Sequence, residues 1–117
     1  MPVSLFKIKQ GDRRPYLKGQ LVTFNDDGEV EGPQPLTGAT VVFSMRNPET
    51  GEVLIEEAAA EILDSDEGQV QYKWQEGDTD IEPGDYEGEF EATFGEEPVT
   101  FPNGKIGFRI RVTRQIA

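Results

Sequence analysis

The chain has 117 residues, room for one domain with one real core. Its 23 acidic and 11 basic residues give a formal charge of −12. That excludes non-specific nucleic-acid binding and argues against an anionic membrane surface, since both need clustered Lys and Arg. With neither cysteine nor histidine, it has no disulfide, no thiolate nucleophile, no Cys-ligated zinc and no imidazole general base.

Apolar residues make up 35%, with 13 Gly and 8 Pro, the composition of a folded, turn-rich domain. The start, Met1-Pro2-Val3-Ser4-Leu5-Phe6-Lys7-Ile8-Lys9, has no basic n-region, and Lys7 and Lys9 interrupt its apolar stretch. No run reaches the ~18 apolar residues of a membrane span. Synthesis in the cytoplasm is the expectation.

Two-residue alternation dominates the chain. Val3 to Lys9 reads as a strand, followed by a loop, Gly11-Asp12-Arg13-Arg14-Pro15, with a basic pair. Gln20 to Asn25 reads as a second strand, and Asp26 through Gly38 as a long loop. Ala39 to Arg46 turns Val41, Phe43 and Met45 to one side; Val42 on the other suggests a strand covered partly on both faces. Asn47-Pro48-Glu49-Thr50-Gly51 is a hairpin signal, because Pro presets one turn residue and Gly supplies positive φ.

Residues 52–63 are ambiguous. They are good helix formers, and Leu54, Ala58 and Ile62 share a helical face. Val53 and Ile55 alternate, however, as do Ala58, Ala60 and Ile62. The expectation is two strands with a kink near Glu56-Glu57; a short helix is the alternative.

Asp64-Ser65-Asp66-Glu67-Gly68 is the next turn. Gln69 to Trp74 places Val70, Tyr72 and Trp74 inside and Gln69, Gln71 and Lys73 outside. After Glu82-Pro83-Gly84, Asp85 to Phe94 is the clearest strand, with Tyr86, Gly88, Phe90, Ala92 and Phe94 on one face. Phe101-Pro102-Asn103-Gly104 leads into a last strand, Lys105 to Thr113. Short strands with turns every 8–12 residues indicate a sandwich or barrel.

Candidate chemistry is sparse. Asp64, Asp66 and Gly68 resemble the start of a calcium loop, but the sixth and twelfth positions are Gln69 and Gln75, so the EF-hand pattern fails. Asp78 and Asp80 offer only a looser set. Glu87, Glu89 and Glu91 sit about 7 Å apart along one strand face. That face has no apolar pocket to raise an acid's pKa, so glycoside hydrolysis is not expected. Pairing of Glu87, Glu89 or Glu91 with Arg109 and Arg111 on the following strand explains the glutamates better. Trp74, Tyr72 and Tyr86 are assigned to the core in preference to a sugar-binding platform.

Several stretches, in order, resemble the N-terminal immunoglobulin-like domain of the phage baseplate upper protein family. They are Gly11-Asp12 with Pro15 and Leu17, Leu36 through Met45, the turn through Gly51, Gly68 through Trp74, Gly77-Asp78-Thr79, Gly84 through Phe90, and Thr100-Phe101-Pro102. The resemblance implies an all-β fold: one antiparallel immunoglobulin-like β-sandwich over residues 1–117, with about seven to nine short strands. It implies a non-enzymatic structural component of a tailed-phage virion, with no catalytic residue, metal or cofactor. The expected partners are other virion proteins, met in several copies in a symmetric assembly, with no nucleic acid or membrane. The chain ends just after the last expected strand, so a free-standing module on the tail, baseplate, neck or capsid surface is expected. A carbohydrate or host-surface binding module is the alternative. An acidic domain from a halophile is a further rival, which 15 Glu against 8 Asp and five lysines do not require.

The expected docking residues are Lys7, Lys9, Arg13, Arg14 and Lys18, five of the eleven basic residues, with residues 1–14 as a candidate arm. Against so acidic a chain, the partner is expected to be basic or apolar where it meets it. No specific divalent cation should be required. Millimolar Ca²⁺ at constant ionic strength should leave the melting temperature unchanged; a rise reversed by chelator would assign a site to Asp64, Asp66, Asp78 or Asp80.

Overall fold

Every regular element among the described residues is a strand. The computed structural model describes residues 5–101 and 108–116, for Thr100 and Phe101 by their backbone. The expected strand start at Val3-Ser4, the turn at 102–104 and the start of the last strand at Lys105 lie outside them.

In chain order the strands are β1 (Leu5–Lys9), β2 (Leu17–Gln20), β3 (Val22–Phe24), β4 (Val30–Pro33), β5 (Ala39–Arg46) and β6 (Val53–Ala59). They continue as β7 (Glu61–Asp64), β8 (Gln69–Tyr72), β9 (Gly84–Phe94), β10 (Glu97–Phe101) and β11 (Phe108–Thr113). The larger sheet runs β1-β11-β9-β5-β6, the smaller runs β2-β8-β7, and β3-β4 is a separate hairpin. All pairings are antiparallel except β1 with β11, which is parallel. Strand β9 carries β5 along one edge, and β11 then β10 along the other.

Residues 52–63 form two strands, and the helical alternative is not realised. Ile55 opposes Met45 and Ala58 opposes Phe43, so Glu56 and Glu57 share the place opposite Ser44. Glu57 takes φ 47°, and its N–H donates to Ser44 Oγ at 3.0 Å. This bulge is the expected kink. The strand itself breaks later, at Ala60, where the chain passes from the larger sheet to the smaller.

The strand expected over 20–25 is divided. The Leu21 N–H donates to Gly68 O and its carbonyl accepts from Gln34 N, both at 2.8 Å, so this backbone bonds to two loops instead of a ladder. Gly68 has φ 67°, and a Cβ there would lie 2.5 Å from Leu21 O, so only glycine fits the junction. The expected loop 26–38 contains β4, and β10 follows β9 through a two-residue connection. Strand β8 ends at Tyr72, two residues before the expected end, and Gln71 is buried against Glu61.

One core lies between the sheets. The Phe43 ring from the larger sheet meets Tyr72, Phe90, Trp74 and Phe108 at centroid distances of 4.8, 5.3, 5.9 and 6.1 Å. Trp74 is 1% exposed, lies tilted against the Phe6 ring at 5.9 Å, and donates Nε1–H to Pro15 O at 3.1 Å. Its core assignment therefore holds. Trp74→Ala should destabilise the chain by about 3–5 kcal/mol. A denaturant midpoint unchanged from the parent would contradict this packing.

Candidate docking surface

The five expected docking residues are all exposed but do not form one patch. Alternation along β1 buries Ile8 and half-buries Phe6, leaving Lys7 and Lys9 outward on the larger sheet. Lys7 lies in register with Arg111, and Leu5 with Arg109. Of the described part of the candidate arm, residues 5–14, residues 5–9 are thus a paired strand whose Ile8 belongs to the core.

The next strands on that face carry the opposing charges. Arg111 donates to both carboxylate oxygens of Asp85, at 2.8 and 3.2 Å, and Arg109 lies 4.0 Å from Asp85. The Arg111 guanidinium holds the Asp85 carboxyl below its usual range. Glu87 pairs with Arg46 at 3.3 Å. Arg109 opposes Glu87 as expected, but Arg111 opposes Asp85, one alternation earlier than Glu87. The sequence reading missed Arg46, whose place beside β9 depends on the β5–β9 register.

Arg13, Arg14 and Lys18 belong with the smaller sheet. Arg13 Nε donates to Trp74 O at 3.2 Å. The Arg14 guanidinium and the Lys73 ammonium lie 5.5 and 5.7 Å from the centre of the Tyr16 ring. Together with Asp12 and Gln75 these residues line an open recess of about 550 Å³. Lys73 also bonds Glu61 at 3.0 Å, which raises its pKa. Lys18 stands farther along β2, outward and opposite Gln71. Tyr16 and Lys73 were legible only as ordinary strand and loop residues; their meeting follows from the β2–β8 register, Leu17 opposite Tyr72.

The loops framing the recess are held by hydrogen bonds that are partly buried or exposed. The Tyr72 hydroxyl donates to Asp78 Oδ2, which also accepts from Gln75 N at 2.8 Å. Thr79 Oγ1 donates to Asp12 O, and Gly11 N to Thr79 O at 3.1 Å. Asp64 Oδ1 accepts the N–H groups of Asp66 and Glu67, so it closes its own turn. Among the described residues no group of three or more Asp and Glu is placed to hold a metal ion. Compared with family models, curated proteins and solved structures, the chain matches none.

Two phenols respond to pH. Burial first, then the Asp78 carboxylate, pushes Tyr72 well above 10.0, and burial with the charge of Glu82 raises Tyr86. A group whose folded pKa is raised contributes stability that is fully present below its unfolded value and lost above it. The melting temperature should therefore fall as pH rises beyond about 10, the ordinary tyrosine value. Tyr72→Phe should flatten that alkaline slope, and an unchanged slope would show that Tyr72 ionises freely.

Proposed function

We propose that the chain is a single immunoglobulin-like β-sandwich serving as a non-enzymatic structural component of a tailed-phage virion by docking to other virion proteins. One observation carries the reading. Three of the ordered stretches that resemble the baseplate upper protein domain, Leu36 through Met45, Gly68 through Trp74 and Gly84 through Phe90, fall on β5, β8 and β9, strands interior to the two sheets. The strand order supports the sandwich type: β11-β9-β5-β6 corresponds to a GFCC′ sheet and β2-β8-β7 to a BED sheet. The Tyr86 hydroxyl donates to Glu82 O near the start of β9, the bond of a tyrosine corner. Position 88, where antibody domains place a core cysteine two residues after that tyrosine, is glycine.

Docking is supported by cations on both outer faces. Lys7, Lys9, Arg109 and Arg111 share one outer face, while Arg13, Arg14, Lys18 and Lys73 border the other. A second reading, carbohydrate or host-surface binding, is favoured by Tyr16 standing between Arg14 and Lys73 in an open recess. Binding of the isolated chain on a glycan array would select it.

The direct test is particle composition. Virions purified by density gradient should contain the chain in several copies, retained through a high-salt wash. Recovery only in the soluble fraction of the lysate would overturn the docking assignment.

A further inference from the structure

Strand β2 is an edge of the smaller sheet: among the described residues its only strand partner is β8. An edge strand presents a row of backbone N–H and C=O groups to any chain that can lie beside it. Beside this edge runs a second cavity, of about 330 Å³. All residues from Leu17 to Val22 line it consecutively, inward and outward residues alike. Successive side chains of a strand point to opposite faces, so a cavity lined by every residue of β2, Leu17 to Gln20, runs along its backbone edge.

The cleft is chemically two-sided. Its floor is apolar, formed by Phe6, Phe90 and Phe108, with Leu5 and Phe24 each 40% exposed at its margin. Gly19 faces inward with the Phe90 ring 3.3 Å from where its Cβ would sit, so β2 carries no side chain there to fill the space. Its outer side carries one charged lining residue, Lys18. Lys18 points outward without an ion-pair partner among the described residues, and Arg14 lies beyond it over Tyr16. Glu61, a carboxylate on that face, is already paired with Lys73.

We infer that β2 accepts an extended segment of a partner protein, added as a strand, with apolar residues alternating with acidic ones. The inward side chains enter the cleft, and the outward carboxylates stand opposite Lys18 and toward Arg14. Alternation is required because successive side chains of a strand point to opposite faces. The inference rests on the docking reading above and names the segment it takes.

The test uses the full chain and a fluorescent synthetic peptide of about seven residues, alternating valine and glutamate. Saturable binding is expected. Lys18→Glu should weaken it about fivefold, since like charges then face across the pair. A peptide with lysine in place of glutamate should prefer the Lys18→Glu variant over the parent, a swap that misfolding cannot mimic. N-methylation of alternate peptide amides along the pairing edge should abolish binding. Absence of saturable binding, equal binding of the N-methylated peptide, or indifference to Lys18→Glu would each overturn the inference. A concentration-dependent dimer of the chain that Lys18→Glu dissolves would make a second copy the occupant and overturn it equally. Particle composition does not enter these measurements, so failure here is distinct from failure of the virion assignment.

Discussion

The contact between rings of the two sheets is the constraint on which the rest depends. Phe43 is fully buried on β5 and touches Tyr72, Trp74, Phe90 and Phe108. That many rings fit because glycine stands where side chains would collide. A Cβ on Gly88 would lie 2.8 Å from Ile110 and 2.9 Å from both Phe43 and Phe108. The inner face of β9 is thus hollowed at its centre to seat aromatic rings. Aromatic pairs contribute about 0.5–1.5 kcal/mol beyond their buried area, which matters in a domain of this size without disulfides.

The same cluster positions the surface that faces outward. Trp74 is anchored by its ring in the core, and its indole N–H holds Pro15 O. Its carbonyl in turn receives Arg13 Nε. Asp78 fixes Tyr72 on one side and the backbone of Gln75 on the other. The loop at 12–16 is therefore tied to the strand end at 74–75 by bonds that originate in buried residues. Loss of the core ring would displace the cations as well as lower stability.

The long central strands were legible because their faces differ in polarity at every step. β5 has the expected bounds, and β9 begins one residue earlier than expected. The elements that escaped the reading are governed by partners distant in sequence or by turns of low apolar content. Leu21 interrupts an apparently continuous strand because Gly68 and Gln34 claim its backbone. β4 holds one large apolar residue, Val30, and so lacks alternation, although Asn25 closing its turn onto Asp27 and Glu29 was a usable hairpin signal. For β10 the signal was Gly95, at φ 66° the first residue of a two-residue loop. Of the docking residues, exposure was legible but grouping was not. Lys7 and Lys18 stand in different sheets, and only the pairing of β1 with β11 and β2 with β8 separates them.

A net charge of −12 suggests a partner that is basic or apolar where it meets the chain, yet charge acts locally. Across the larger sheet Arg111 meets Asp85 and Arg46 meets Glu87, so neighbouring strands cancel much of each other's field. Much of the acid surplus collects at turns: Asp26 and Asp27, Asp66 and Glu67, Glu76 and Asp78, Glu96. At physiological salt a charge is screened over about 8 Å. A bulky acidic body approaching these turns is repelled before contact. A single extended segment sliding along β2 meets Lys18 first, with Arg14 beyond, while its apolar residues leave water for the cleft. Under the proposed docking, repulsion at the turns and attraction at one edge act together: the acidic surface restricts how a partner approaches, and the edge of β2, unpaired among the described residues, determines where it can stay.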